Sequence, residues 1–420
     1  MKRFHFTAAA VSVACALTAC GGGGGNDDTP RVGITAVKVA GASLADSGTF
    51  GYKFTVQPSS SVQLYTERIA SAYGLPALCN VFTFASSTFS LNTSKTGCTN
   101  YAVAGASVGN YSLTAHAYLP PSSPTSMLMQ LGTMASQAGT AFKSTDLILV
   151  GEGPANDIAT VVSAYLSFVA FAQSNGAIGS TTDFTNLMSS SGGQTILGLD
   201  AGTIGTKLAD TTGAGQYYLA NLYMQRVATL LAASIKTNLL DKGAQRVAVL
   251  NLLDVTYTPK LQAVLAANAS SAATIRSAVR AWTATFNTQL ATEVAALNTS
   301  KVVIVDFNTN FTAEMTDPAQ YGLTNVSATV CDEIVNASAT TTTVATAGTT
   351  SLSTVVSNVP TVAVACTTSA ASALTPKHDA VNGTNWWKTY LFADNFHPTP
   401  YGHQLLGQLV AKRLTEAGWL

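Results

Sequence analysis

The chain has 420 residues, 47% of them apolar and only 10% charged, with 21 basic and 21 acidic side chains. Ordinary globular proteins carry ~25% charged residues, and a chain this poor in cations and balanced in sign is not built to hold a nucleic-acid backbone, which needs concentrated positive charge. Its length and apolar content suffice for a large core, most simply one elaborated α/β domain.

The opening stretch, "MKRFHFTAAAVSVACALTAC", has two cations, an apolar run and a small-residue end, the pattern of an export signal. The run from Phe6 to Ala19 is shorter than the roughly 20 residues of a membrane-spanning helix, and no later segment is long and apolar enough. Leu17-Thr18-Ala19-Cys20 resembles a bacterial lipobox, in which the cysteine is acylated and becomes the first mature residue. The alternative is an ordinary cleaved signal that happens to contain Cys20. Gly21, in place of aspartate, favours the outer membrane by the same resemblance, with periplasmic or secreted protein as the alternative. Residues 20–32, including "GGGGGNDDTP", read as a flexible tether, so that 1–19 is a signal, 20–32 a leash and 33–420 one domain. Without 1–19 the chain keeps 19 basic against 21 acidic side chains, since Lys2 and Arg3 leave with the signal.

Along that domain, short runs rich in Val, Ile and Leu alternate with longer helical patterns. The runs are "ITAVKVA" (34–40), "DLILVG" (146–151), "RVAVLNL" (246–252) and "KVVIVDF" (301–307). Such runs predict strands buried on both faces, and their alternation with helices predicts a mainly parallel sheet in an α/β layer fold. Helices are predicted at 61–73, 155–174, 215–241, 260–297 (with a possible break) and 400–417. The stripe Tyr217, Tyr218, Leu222, Arg226 reads as packing. Residues 335–375 form a Thr/Ala/Ser/Val tract almost without charge, an insertion placed near the functional face or, alternatively, a surface hairpin without a role.

With Cys15 in the signal and Cys20 at the lipid site, Cys79, Cys98, Cys331 and Cys366 remain. An even count in an oxidising compartment argues for two disulfides; of the three possible pairings, proximity favours 79 with 98 and 331 with 366. A zinc site is disfavoured, because the gaps between cysteines are wide and no histidine sits at ligand spacing.

In open parallel sheets the working residues gather at the carboxyl ends of strands. Four stretches carry small and polar clusters: Gly41 to Gly48 ("GASLADSG"), Asn100 to Gly109 ("NYAVAGASVG"), Gly151 to Ile158 ("GEGPANDI"), and "FADNFHPTPYGH" before the last helix. A serine hydroxyl is a poor nucleophile at neutral pH and needs an imidazole to take its proton and a carboxylate to fix that imidazole's tautomer. His397 suits the base, and Asp394, three residues earlier in a Pro-flanked turn, can lie against its far nitrogen. Preorganised donors for the developing oxyanion are the backbone N–H groups of Ser43 and Gly105 and the side-chain amide of Asn156.

Taken in order, these stretches resemble the SGNH hydrolases, also called the GDSL family of esterases and lipases, which run Ser-turn, Gly-turn, G-x-N-D and D-x-x-H on a three-layer α/β/α fold. The likeness spans residues 39–403. It implies Ser43 as nucleophile, Gly105 and Asn156 in the oxyanion hole with the Ser43 N–H, and Asp394 and His397 completing a triad. Ser47 then reads as a cap of the following segment. Two departures from the family pattern carry weight. Ala42 stands where relatives have aspartate, which puts the rigidity of the nucleophile turn in doubt, and Ala104 stands where they often have a second glycine. Asp157 is read as ordering the loop that presents Asn156.

The remaining histidines receive structural readings: His116 as a half-buried strand residue, His378 in a solvated loop, His403 on the surface of the last helix. Asp254 is read as structural. No metal or other cofactor is implied, since the mature chain's scattered histidines make no ligand cluster. The function implied is an exported, lipid-anchored serine esterase acting on a small-molecule or lipid ester. The alternatives are a phospholipase, lipase or acyltransferase, for which the 335–375 tract would supply an acyl-binding wall, and a binding protein on the same fold whose activity is weakened by Ala42.

Overall fold

The computed structural model describes residues 33–57, 62–175, 182–338, 366–374 and 377–420. The expected signal, Cys20, the tether and 339–365 of the uncharged tract lie outside the described residues, as does the side chain of His378.

The Val- and Ile-rich runs become strands because extended, β-branched backbone can be buried on both sides once its amides are paired in a sheet. β1 (Ala36–Ala40), β6 (Asp146–Val150), β7 (Val247–Leu250) and β8 (Val302–Val305) form a four-stranded parallel sheet in the order β1-β6-β7-β8. Register runs from Ala36 opposite Asp146 to Leu250 opposite Val305. Every residue of β6 and β7 is buried, so both sheet faces are covered. Helices α1 (Tyr65–Ala72) and α13 (Pro400–Glu416) pack on each other and on β1 and β8 respectively. A second group holds α2 (Met127–Gln137), α3 (Pro154–Asn175), α7 (Ala214–Ser234) and α9 (Ala272–Ala296), with α7 and α9 in long side-by-side contact. The α/β fold with a central parallel sheet is therefore the one predicted.

Smaller elements complete the domain. Antiparallel pairs are formed by β2 (Phe82–Ala85) with β3 (Thr88–Leu91) and by β4 (Tyr111–Ser112) with β5 (Ala117–Tyr118), while β9 (Asn325–Thr329) pairs in parallel with β10 (Tyr390–Phe392). The short helices are α4 (Thr182–Ser189), α5 (Ser191–Leu197), α6 (Ala201–Leu208), α8 (Pro259–Ala267), α10 (Phe307–Thr316), α11 (Val330–Ser338) and α12 (Thr368–Ala373). The predicted 260–297 helix is broken into α8 and α9, and the predicted 215–241 helix continues past α7 as a wider turn over Ile235–Leu239. The first predicted helix starts later, at Tyr65, where the Glu67 carboxylate turns back to accept the Leu64 N–H.

Disulfides join Cys79 to Cys98 and Cys331 to Cys366, the pairing that proximity favoured. The second lies in a satellite core with Val56, Val330, Trp386, Trp387 and Tyr390, apart from the main core around the sheet.

Two readings are corrected, and that of the Tyr217 stripe as packing holds for Tyr217 and Leu222 but not for Tyr218 and Arg226. His116 is not a half-buried strand residue: it sits in the exposed turn between β4 and β5 with φ of +52°, and its Nδ1 is 2.9 Å from Asp183. His403 is not on the surface: the buried stripe of α13 runs Gly402, His403, Leu405, Leu406, Val410, Leu414, and the ring is wholly enclosed. Burial, with the nearby charges of His397 and Arg68, pushes its imidazole down to about 3, so it is neutral. Tyr217 and Tyr218 face outward from α7; Tyr217 rests against Trp282 at 5.7 Å, while Tyr218 lies under Lys207.

Candidate active site

The first stretch leaves β1 at Ala40 and turns through Gly41 to Asp46. Its backbone is held by side chains from neighbouring elements: Gly41 N–H donates to Gln130 Oε1 at 2.8 Å, and the N–H groups of Ala42 and Leu44 donate to Glu152 Oε1 at 3.2 and 2.8 Å. Ala45 N–H closes the turn onto the Ala42 carbonyl. Ser43 itself is half-buried, and among the described residues neither its N–H nor its hydroxyl has a hydrogen-bond partner. Ser47 caps nothing; its hydroxyl accepts from the Asn100 side-chain amide, which also donates to the Ala45 carbonyl at 2.6 Å.

The second stretch runs beside β1, with Val39 N–H donating to the Thr99 carbonyl and Tyr101 N–H returning to Val39. It ends in the Gly105 turn. Gly105 has φ of +80°, a left-handed conformation that favours glycine, and its N–H is unpartnered among the described residues. Ala104, where relatives often have glycine, is not in that region, and its N–H donates to Asp46 Oδ2 at 2.9 Å. Asp46 Oδ1 accepts from Gly48 and Thr49, so one buried carboxylate ties the Ser43 and Gly105 turns together.

The third stretch begins α3 at the end of β6. Asn156 gives one amide hydrogen to the Ala106 carbonyl at 2.8 Å. Asp157, fully enclosed, accepts from Val108 and Gly109, each at 2.8 Å, and burial pushes its carboxyl up to about 7. Ser43, Gly105 and Asn156 are thus carried on three segments locked to one another at the carboxyl end of the sheet.

The fourth stretch follows β10. Both carboxylate oxygens of Asp394 lie 2.8 Å from His397 Nδ1, and Oδ1 also accepts the N–H of Phe396 and of His397. Burial works to raise the Asp394 carboxyl, but His397 and these N–H donors outweigh it and hold it below the usual range. The loop is fixed by Ala393 N–H to the His397 carbonyl, by Thr55 Oγ1 to the Pro398 carbonyl, and by Thr399 capping α13. Phe54 packs on the imidazole at 5.1 Å.

The Glu152 carboxylate holds the amides on both sides of Ser43; burial raises its carboxyl, and these amides and the charge of His397 work against that rise. In this state the hydroxyl of Ser43 makes no hydrogen bond to His397. Glu152, Gln130 and Phe54 were not picked out from sequence. The available signal was a lone carboxylate two residues past "DLILV", a strand with no other polar residue after its first. Asp254 is structural: it accepts from Thr256 and pairs with Arg280 at 2.8 Å. Among the described residues no group of three or more His, Cys, Asp or Glu could hold a metal.

A parallel sheet with a paired histidine and carboxylate and three interlocked polar turns beyond its strands has the layout of a candidate hydrolytic site on an α/β fold. The chain belongs to the GDSL-like Lipase/Acylhydrolase family, which matches residues 199–410. It is therefore a member of an ester-hydrolysing enzyme family. The matched span contains Asp394 and His397 and begins after Ser43, Gly105 and Asn156. No curated protein matches the chain.

Proposed function

We propose that this acylhydrolase is a serine esterase working through an acyl-enzyme on Ser43. His397 Nε2 takes the Ser43 proton as Oγ attacks the ester carbonyl, Asp394 fixes the Nδ1–H tautomer, and the proton passes to the departing alcohol. Water then attacks the acyl-enzyme, giving a proton to His397 and releasing the acid as that proton returns to Ser43. The negative oxygen of each tetrahedral intermediate is received by the Ser43 N–H, the Gly105 N–H and the amide hydrogen that Asn156 does not spend on Ala106. One observation carries the reading: among the described residues the Ser43 and Gly105 N–H groups lack partners on interlocked turns, while Asp394 grips His397 Nδ1 with both oxygens. The reading requires Ser43 Oγ to come within hydrogen-bond reach of His397 Nε2; such contacts commonly tighten only with substrate.

The rest of the proposal follows the sequence. Residues 1–19 direct export, Cys20 carries lipid, 20–32 tether the 33–420 domain, and the protein sits in the cell envelope, at the outer membrane. Two disulfides support an oxidising compartment. A lipid ester is a second reading, favoured by a file of rings leading from His397 through Phe54 and Phe50 to Phe84, spaced 5.1, 6.1 and 5.0 Å, with Phe84 and Leu91 exposed.

Purified protein is expected to hydrolyse p-nitrophenyl esters, and Ser43→Ala to lose about 10³-fold or more of kcat. A chain-length series separates the readings, with short esters favoured by an esterase and long ones by a lipase. Equal turnover by wild type and Ser43→Ala would remove the assignment.

A further inference from the structure

We propose that Glu152 is a positioning residue for Ser43, supplying from the end of β6 the carboxylate that Ala42 lacks; the inference rests on Ser43 being the nucleophile. Ala42 is wholly buried, and its side chain has no polar group to brace its own turn. Glu152, 5% exposed, stands in that place: Oε1 receives the N–H of Ala42 and of Leu44, and Oε2 lies 3.4 Å from the hydroxyl of the enclosed Tyr65. A Cβ on Gly41 would sit 3.6 Å from Oε2, so the acid fills the space against the turn.

From residue 41 to 45 every amide but one is taken by a partner among the described residues. Gly41 is held by Gln130, Ala42 and Leu44 by Glu152, Ala45 by the Ala42 carbonyl, and the amide left open is that of Ser43. A buried acid with no Lys or Arg paired to it among the described residues is costly, and an apolar residue after this strand end would avoid that cost. What Glu152 gains in return is the pair of flanking amides, which fixes where the Ser43 hydroxyl and N–H point. The Ala42 departure is thus offset by an acid 110 residues away in the chain.

Truncation of Glu152 leaves two buried N–H groups without acceptors and frees the turn to relax, and a displacement of about 1 Å at a reacting group is enough to cost about 10²-fold in rate. The test compares wild type, Glu152→Ala, Glu152→Gln and the double variant Ala42→Asp/Glu152→Ala, each checked for cooperative unfolding. The readouts are kcat and KM for p-nitrophenyl butyrate and the rate constant of covalent labelling by a fluorophosphonate. Glu152→Ala is expected to lose about 10- to 100-fold in kcat and in labelling rate with KM changed less than about threefold. Glu152→Gln keeps an acceptor at Oε1 and should stay within about fivefold of wild type. Returning the acid to the turn in Ala42→Asp/Glu152→Ala should recover about tenfold of the loss, or restore folding if Glu152→Ala does not fold. Wild-type labelling by Glu152→Ala, or a double variant no better than Glu152→Ala, would overturn the proposal. Ser43→Ala, run alongside, separates the two levels: turnover surviving there removes the nucleophile assignment, while a dead Ser43→Ala beside a fully active Glu152→Ala removes only the role of Glu152.

Discussion

Glu314 on α10 offers a clean test of how burial sets this protein's response to pH. Its side chain is 3% exposed, its one hydrogen-bond donor among the described residues is the Asn310 amide at 2.6 Å, and burial pushes the carboxyl from 4.5 up to about 7. Between those values the folded protein keeps a proton that the unfolded chain has released. The group's stabilising contribution is therefore complete below about pH 4.5 and is lost as pH rises through about 7. The difference of about 2.5 pH units corresponds to about 3 kcal/mol at 1.36 kcal/mol per unit. With an unfolding entropy of about 2.1 cal/mol/K per residue over roughly 390 residues, that is about 4 °C in Tm. Glu314→Gln removes the titration and keeps the shape. Thermal unfolding of both proteins by calorimetry should give a Tm difference that moves by about 4 °C in favour of the variant between pH 4.5 and pH 8. Any offset from the new amide is the same at every pH and cancels. A difference that does not change with pH would refute the reasoning.

Three further outcomes follow. Asp394→Asn should lower kcat by about 10³- to 10⁴-fold with little change in KM, because the wrong His397 tautomer is then favoured; a loss under about tenfold would deny Asp394 the orienting role. Replacing Cys331 and Cys366 by alanine opens a 35-residue loop and should cost about 4 kcal/mol in denaturant unfolding; because Cys331 N–H donates to the Ala393 carbonyl beside Asp394, kcat should fall as well. Cells fed labelled palmitate should mark the wild-type protein and leave Cys20→Ala unmarked; equal labelling would move the anchor elsewhere.

The parts of the fold that were legible in sequence are those in which one local pattern has one use. "DLILV" and "VAVL" are buried on both faces and could only be inner strands of a covered sheet. The cysteine pairs closed across short separations, and Asp394 and His397 lay three residues apart. What escaped was decided by partners distant in the chain. His403 follows a Pro-led helix start and looks polar enough for the surface, yet the stripe it shares with Leu406 and Val410 carries it inward. His116 was misplaced because the two-residue strands on either side leave it in a turn. The Ser43 turn looked unbraced at Ala42, since its acid stands just past β6 and the distance from 42 to 152 hides the pairing. The short hairpin of β2 and β3 and the helices α4 to α6 carry too few apolar repeats to be read from periodicity.

The central claim, that Ser43 is the acylated group and His397 its base, is tested most directly by peptide mass mapping of an organophosphate adduct. The account predicts a single adduct on the Ser43 hydroxyl, formed by wild type and absent from His397→Ala. An adduct on Ser47 or on any other residue, or ester turnover with Ser43 unmodified, would contradict it.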